Sequence, residues 1–477
     1  MRELPQLGGK VRALRRRESL TQVQLAERLG ISPSYLNLIE HNRRPLPAPL
    51  LIRLAEHFRL DLKALSGQDD ARAIADLMEV FGDAVFETQE VGTDEVRDLA
   101  QASPAVARAV VALYQAYRGA REAADTLTAK LSTGGGLVGL DSRLPSEEVS
   151  DILQRHMNFF PELEEGAEKL WRDARLDASN LYGDLVTWLS RAHGVEVCIE
   201  KSGAMEGAVR RYDTERRVLH LSEVLRRGSR NFQLAYQIGL LSQQAVVERH
   251  AQVPHLTSTE SRALARVALA NYFASAVLMP YGPFLEAAQA ERYDIELLGH
   301  RFRASFEQTC HRLTTLRRPG AEGVPFHMVR IDIAGNISKR FSATGLRFPR
   351  FSGACPRWIV FSAFLTPGMI RTQLSQMPDG TGYFWVARTV RKEGGGYHAP
   401  RTIHAIALGC EQSHARRLVY ADGVDLESRE AVVPVGVTCR LCERMDCEQR
   451  AFPPLQHPLR VNENVRGVSF YAPVSRD

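Results

Sequence analysis

The stretch that decides the reading is Thr21–Arg44, TQVQLAERLGISPSYLNLIEHNRR. It predicts two short helices joined by a tight turn. Thr21 caps the first, and Gln24, three residues on, completes a capping-box pattern. Val23, Leu25, Ala26 and Leu29 recur at helical spacing and predict its apolar face. Gly30 stands just past the helix end, where a left-handed cap is free of any Cβ clash. Ile31 is expected to plug the corner. Ser32 caps the second helix, and Pro33 takes its first position, where a missing N–H costs nothing. Leu36 and Ile39 are expected to face inward. Ser34, Tyr35 and Asn37 are expected to face outward, with Arg43 and Arg44 just beyond the helix. Small polar and amide side chains flanked by arginines suit a major groove with phosphates at its rim. Thr21, Gln22, Ser32, Ser34, Tyr35, Asn37, Arg43 and Arg44 are therefore the candidate DNA contacts. A helical hairpin without a DNA role is the competing reading, but capping, turn and charge all agree with the first.

The charge balance points the same way. Of the net +5, residues 1–65 supply twelve Lys and Arg against six Asp and Glu, and the remaining chain is close to neutral. Phosphate contact is thus expected through the N-terminal part alone. The motifs LTQVQLAERLGIS and SYLNLIEHNRRP resemble the DNA-binding domain of Cro/C1-type (XRE family) regulators. The likeness covers about residues 8–65.

At 477 residues, two to four domains are expected, with ample core. No apolar run approaches the ~18 residues that span a bilayer, and the N-terminus shows no apolar signal segment. A cytoplasmic protein is expected, its seven cysteines held as reduced thiols or metal ligands rather than disulfides.

Along the chain, Val11–Arg17 predicts a first helix of the DNA reader, and Leu46–Phe58 a fourth, with Leu50, Leu51, Leu54 and Phe58 at core spacing. Asp61, Leu62 and Leu65 are expected to close this unit. Residues 69–131 read as helical. From Pro104, a stripe of Val106, Val110, Leu113, Tyr114 and Tyr117 is expected to pack on its own domain or to form a dimer helix. Gly134-Gly135-Gly136 reads as a flexible joint.

Residues 145–320 read as mainly helical, with a strand-rich insert. Val195–Ile199 and Arg216–Leu221 are two short alternating runs that suggest a hairpin. NFQLAYQIGLLSQQ (231–244) and ALARVALANYFASAVLMPYGPFLEAA (263–288) follow as helices. Strand, strand, helix and then ANYFASAVLMP resemble a zincin-type peptidase domain of the IrrE/ImmA kind. That fold would carry His-Glu-x-x-His on its first helix, two histidines binding zinc and the Glu acting as base. Here Tyr236 and Leu240 occupy the His places and Gln237 the Glu place. The positions for an acidic ligand, Val267 and Leu269, are apolar. Hydrolysis is excluded, but the cleft is expected to survive as a small-molecule site.

Residues 324–477 read as strand-rich: Phe326–Ile333, Trp358–Phe364, Tyr383–Val390 and Thr402–Leu408. Turn signals separate them at Ala334-Gly335-Asn336, Asp379–Gly382 and Gly394-Gly395-Gly396. Near the end stands T-C-R-L-C-E-R-M-D-C. Cys439, Cys442 and Cys447 fall within nine residues, and Cys410 stands upstream at an expected strand end. In a reducing compartment this is the arithmetic of a metal site. Zinc and a [4Fe–4S] cluster both accept four thiolates. Spacing does not choose, although three clustered sulfurs and one remote sulfur suit a cluster better. Arg440, Arg444 and Arg450 could offset the charge of either. Cys198, Cys310 and Cys355 are isolated and expected as small core residues.

Taken together, FPRFSGACPRW (348–358), MPDGTGYFWVARTV (377–390), VYADG (419–423) and CRLCERMDCEQRAFPP (439–454) resemble the short-chain fatty acyl-CoA-responsive transcriptional regulators (ScfR type). These control propionate, acetate or glyoxylate-cycle genes. The resemblance implies a homo-oligomer, a dimer or tetramer, that binds operator DNA. It also implies CoA or a short acyl-CoA as effector in the degenerate peptidase-like domain, and a [4Fe–4S] cluster on Cys410, Cys439, Cys442 and Cys447, with zinc the alternative. Phosphates ask for Arg or Lys and adenine for an aromatic surface. Arg172, Lys201, Tyr236 and Arg303 are the candidate effector contacts.

The expected architecture is multidomain, mainly α with a β-rich C-terminal part. The expected boundaries are 1–66 for the helix-turn-helix, 67–144 for a helical linker, 145–322 for an α+β degenerate peptidase-like domain, and 323–477 for the cysteine-bearing domain. Two other classes compete. One is an iron–sulfur redox or iron sensor that ignores acyl-CoA. The other is a zinc metallopeptidase, which lacks its ligands.

Overall fold

A computed structural model describes residues 11–58 (save 13, 16–17, 19, 41–42 and 45), 68–86, 91–133, 145–346, 348–349, 354–392, 398, 401–454, 463 and 469. The expected closing residues Asp61, Leu62 and Leu65 lie outside the described residues, as do the glycine runs 134–136 and 394–396. The chain divides into two compact units. The first comprises 1–142, 349–352 and 437–477, the second 143–348 and 353–436.

In the first unit, α1 (Gln22–Leu29), α2 (Pro33–Glu40) and α3 (Ala48–Phe58) close on Val11, Leu25, Ala26, Leu29, Leu36, Ile39, Leu50 and Leu54. Then come α4 (Gln68–Phe81), a 3₁₀ turn Ala84–Phe86, α5 (Thr93–Ala102) and α6 (Pro104–Thr133), packed around Leu77, Val96, Ala100 and Ala107. The packed face of α6 takes only part of the stripe expected from the sequence, Val110 and Tyr114. Val106 and Leu113 are 50% and 72% exposed, while Ala107 and Tyr114 are buried. Ala107 is small enough to admit a neighbouring helix, and Tyr114 is drawn inward because its hydroxyl donates to Asp83 (2.6 Å).

The second unit begins with α7 (Pro145–Arg155), α8 (Pro161–Asp173) and α9 (Leu181–His193). A small sheet follows: β1 (Glu196–Glu200), β2 (Arg210–Asp213) and β3 (Val218–Ser222). Its order is β1-β3-β2, with β1 parallel to β3 and β2 antiparallel to it. The expected hairpin between the runs at 195 and 216 is therefore corrected. Those two strands run parallel, and β3 makes its hairpin with β2 instead. The stretch between them is long enough for a crossover.

Six helices continue the unit: α10 (Arg227–Ser242), α11 (Gln244–Ala251), α12 (Thr259–Leu278), α13 (Tyr281–Ala290), α14 (Ile295–Phe302) and α15 (Phe306–Leu313). The strand-rich part contributes β4 (His327–Asp332), β5 (Ile337–Phe341), α16 (Ile359–Ser362), β6 (Arg371–Gln376), β7 (Gly382–Lys392), β8 (Thr402–Glu411) and β9 (Val432–Pro434). They form one sheet of order β5-β4-β8-β7-β6-β9, antiparallel except for β9 against β6. The expected strand Trp358–Phe364 is corrected to α16 and a 3₁₀ turn. A short continuous apolar run does not distinguish strand from buried helix. Here Ile359 and Val360 are both buried, as neighbours on a helix can be. At Gly409 a Cβ would come within 2.3 Å of the Trp385 ring, so only glycine lets that indole lie across the neighbouring strand.

Helical middle and sheet share one core, to which Phe160, Leu234, Phe273 and Leu313 contribute along with Phe326, Leu374, Phe384 and Ile406. The expected boundary at 322/323 does not separate two cores. Arg292 pairs with Asp422 (2.7 Å) across it. Among the described residues no single helix is long and apolar enough to cross a membrane.

At the centre, Arg312 and Glu164 have side chains 0% and 1% exposed. Both guanidinium nitrogens Nη1 and Nη2 donate to Glu164, Nε donates to the carbonyl of Met279 (2.9 Å), and Nη1 donates also to Thr315 Oγ1 (3.0 Å). Tyr272 donates its hydroxyl to the same carboxylate at 2.6 Å. Removing one member leaves a buried charge without a partner. Glu164→Ala should therefore cost about 3–5 kcal/mol, read as the urea midpoint of the second unit.

A second prediction concerns acid. Glu307 faces Arg330 (2.6 Å) and Lys339 (2.8 Å). Burial would raise its carboxyl, but Lys339, Arg330 and Lys392 outweigh burial and bring it down to about 2 from the ordinary 4.5. A depressed carboxyl contributes stability that is full above the unfolded value and lost as pH falls through the folded one. The difference between the parent and Glu307→Gln should thus stay constant above pH 4.5 and shrink between there and pH 2, as followed by acid unfolding.

Candidate functional site

The DNA reader is set by local rules. Thr21 Oγ1 accepts from Gln24 N (3.2 Å), and Gln24 Oε1 accepts from Thr21 N (2.9 Å), closing the capping box. Gly30 adopts the left-handed cap at φ 66°. Ser32 Oγ accepts from Tyr35 N (3.1 Å) and caps α2. Ser32, Ser34 and Asn37 share an exposed face, and Arg43 and Arg44 stand exposed after the helix. Two expectations are corrected. Val23 is 52% exposed, because Leu25, Ala26 and Leu29 alone fill the inward face. Tyr35 is half-buried and packs on the core edge rather than standing fully outward.

The sequence reading missed the residue that orients this face. Glu40, 3% exposed, ends α2. Arg15 Nε and Nη2 donate to it at 2.6 and 2.9 Å, and Gln22 Nε2 donates at 2.8 Å. Gln22 also donates to Asn37 Oδ1 (3.2 Å). Burial would raise the Glu40 carboxyl, and the hydrogen bonds from Arg15 and Gln22 bring it below the usual range. The signal available in sequence was a lone Glu at an inward-facing helical position, which calls for a cationic partner.

The cysteines divide. Cys439, Cys442 and Cys447 belong to the first unit, on a loop stitched by Arg450. That guanidinium, 5% exposed as a residue, donates to the carbonyls of Cys439 (2.6 Å), Cys442 (2.7 Å) and Arg444. Ala451 N donates to Cys439 Sγ (3.4 Å). Cys410 lies in the second unit, fully buried in its apolar core opposite Phe384. Burial, with Glu411 adding to it, pushes this thiol up to about 12. Among the described residues no three His, Cys, Asp or Glu side chains stand where one metal ion could be held. Cys310 and Cys355 are buried, and Cys198 is half-exposed on β1, beside Glu196.

In the peptidase-like region, Tyr236 and Gln237 are 6% and 2% exposed on α10. Leu240 is half-buried, Leu269 is core, and Val267 is 41% exposed. Arg210, on β2, was not singled out from the sequence. Its guanidinium lies 4.2 Å from the centre of the Tyr236 ring, and Nη1 donates to Gln237 Oε1 (2.5 Å). Burial pushes Arg210 down and Tyr236 up, the latter against the pull of Arg210. Arg172, Lys201 and Arg303 are exposed. Among the described residues no hydrogen bond or ion pair joins them to Tyr236 or Arg210.

Residues 6–65 match a helix-turn-helix domain family, 190–314 the IrrE N-terminal-like domain, and 315–471 the short-chain fatty acyl coenzyme A regulator C-terminal family. The HTH-type transcriptional regulator PrpR of Mycobacterium tuberculosis is 40% identical, over 96% of this chain and 93% of its own. The propionyl-CoA carboxylase regulator of Cereibacter sphaeroides is 41% identical, over 97% and 98%. The chain belongs to the short-chain fatty acyl coenzyme A regulator family. A solved Mycobacterium tuberculosis transcriptional regulator has a TM-score of 0.66 and 42% identity, covering 68% of this chain and 98% of that one. This family member is a DNA-binding transcriptional regulator, not an enzyme.

Its interface gives a graded prediction. Asn37→Ala should cost about 1–3 kcal/mol and relax preference at one base position. Arg43→Ala should weaken all sequences alike and flatten the salt slope. Glu40→Ala should instead lower the melting temperature of the DNA reader, because it leaves Arg15 unpaired. Fluorescence anisotropy on cognate and scrambled duplexes, with circular dichroism, separates the three. An Asn37→Ala protein that binds cognate DNA like the parent overturns the orientation of α2.

Proposed function

We propose that this regulator controls short-chain fatty acid metabolism, propionate or acetate, by binding an operator through α2 and responding to a short-chain acyl-CoA. The relatives' names, a propionyl-CoA carboxylase regulator among them, support the metabolic assignment. One observation carries the sensing role. The peptidase-like cleft keeps its helices and sheet, but Tyr236, Gln237, Leu240 and Val267 fill the positions that would hold a metal and a base. Such a cleft binds without hydrolysing. Tyr236 is proposed at the effector site, and Arg172, Lys201 and Arg303 are the cations proposed for the phosphates. A homo-oligomer would engage half-sites about 34 Å apart.

A cofactor is proposed on the donor chemistry of Cys410, Cys439, Cys442 and Cys447. A [4Fe–4S] cluster, or zinc, would tie that loop together, since metal binding by scattered ligands is folding energy. One observation favours a second reading, in which the cluster is itself the signal. Leu441, inside the C-x₂-C pair, lies 3.5 Å from where a Cβ on Gly82 would be, so the thiol loop packs on the helical region that follows the DNA reader.

The test titrates operator binding with propionyl-CoA, using protein purified without oxygen. Propionyl-CoA should shift operator affinity at least tenfold. A response to oxidant alone would favour the second reading, and a response to neither would overturn both. Cys442→Ala and Cys410→Ala should each lose visible iron–sulfur absorbance. Purified protein supplied with zinc should show no peptide cleavage.

A further inference from the structure

Arg210 differs from three ion-paired interior arginines of the second unit. Arg312 is neutralised by Glu164, Arg330 by Glu307 (2.6 Å) and Arg340 by Glu147 (2.9 Å). Arg210 is half-buried and has no carboxylate within ion-pair distance among the described residues. Its partners are the Gln237 amide oxygen and the ring and hydroxyl of Tyr236, all neutral. A guanidinium has five N–H donors in a planar fork and no acceptor. One donor is used by Gln237, and the face of the group is covered by Tyr236. A cation taken from water without a counter-charge is costly. The site is also built. Gln237 is 2% exposed and holds the guanidinium by its carbonyl oxygen, and β2 is an edge strand with β3 on one side only. In the surface hollow at Glu248 and Arg266 those two pair with each other (3.3 Å), and Arg262 beside them is exposed rather than held in the interior.

We infer that Arg210 is the anion-recognising residue of the degenerate peptidase-like cleft, taking an oxyanion of the effector, phosphate or carboxylate, on the open side of its fork while Gln237 and Tyr236 hold it in place. This rests on the acyl-CoA reading and names the residue through which that ligand would be held. It also states a chemistry the exposed candidates Arg172, Lys201 and Arg303 do not share. A half-buried, pre-positioned guanidinium loses less side-chain freedom on binding than a surface one.

The experiment uses full-length protein, with Arg210→Met and Arg210→Lys beside the parent. Binding of propionyl-CoA, of propionyl-pantetheine, which has no phosphate, and of methylmalonyl-CoA, which adds a carboxylate, is measured by calorimetry. Inorganic phosphate is tested by thermal shift. Arg210→Met should weaken the oxyanion-bearing ligand at least tenfold, with Arg210→Lys recovering part of it. If Arg210 meets a phosphate, the loss appears with propionyl-CoA and is absent with propionyl-pantetheine. If it meets a carboxylate, the loss is confined to methylmalonyl-CoA. Without ligand, Arg210→Met should melt no lower than the parent, since it removes an uncompensated cation. Parent-like affinity of Arg210→Met for every probe, or a lowered melting point with unchanged binding, overturns the inference. A parent that binds no acyl-CoA but is stabilised by phosphate through Arg210 would overturn the acyl-CoA reading and leave the anion site standing. A parent that responds to no oxyanion overturns both.

Discussion

Glu164 and Arg312 meet where three helices converge, and the second unit takes its geometry from that meeting. Glu164 comes from α8, Arg312 from α15, and Tyr272 and the carbonyl of Met279 from α12 and its end. An apolar trio of the same volume could hold the helices together as tightly, because desolvating two charges offsets most of their attraction. What apolar packing would not supply is direction. A bidentate fork, a third donor onto a backbone carbonyl and a phenol on the same carboxylate are satisfied together in one arrangement only. The consequence reaches the cleft. Phe273, next to Tyr272, lies where a Cβ on Gly239 would be, 2.8 Å away, so α10 approaches α12 as closely as a glycine permits. Tyr236 and Gln237 stand on that same helix, one turn earlier.

The DNA reader uses the same device at smaller scale. Glu40 is a buried carboxylate at the end of α2, held by Arg15 and Gln22. Because Gln22 also bonds Asn37, the start of α1 is registered against the exposed face of α2. An interface that must place amide and hydroxyl groups within hydrogen-bond reach of base edges gains from a rigid platform more than from extra affinity. In both units an acidic side chain at an inward position fixes how functional helices are turned.

Much of this was legible in order of locality. The capping box at Thr21, the glycine stop at Gly30 and the proline start at Pro33 are rules of four or five residues, and they set α1 and α2. The strands β7 and β8 announce themselves through runs rich in aromatic and β-branched residues bounded by turn signals. Beyond that range the signals weaken. β2 and β5 are short and charged, and their place is fixed by partners far along the chain, Leu221 against Arg210 and Met328 against Phe341. α16 reads as a strand in sequence because four apolar residues, Trp358 to Phe361, carry no period. Val106 and Leu113 look like a core stripe until Ala107 is seen to carry the contact, since a small residue attracts no notice in sequence. Arg210 escaped for a related reason. In RRYDTERR it is one arginine among four, and only burial distinguishes it.

That arginine bears on how a peptidase-like fold comes to serve as a receiver. Zinc in such a cleft polarises a carbonyl and lowers the pKa of a bound water, and a Glu then moves the proton. A guanidinium resting on the Tyr and Gln at those motif positions retains positive charge but gives up both functions. It does not deprotonate at physiological pH and binds no hydroxide. Gln237 in turn has no proton to exchange. What is left is a fixed charge with directional donors in a partly dry setting, where Coulomb attraction is several times stronger than in water. Hydrolysis needs a site that changes state during each turnover. A sensor needs one that holds its ligand unchanged and couples its presence to packing around it. Replacing metal and base by a tethered cation and an amide favours the second requirement without altering the backbone that frames the cleft.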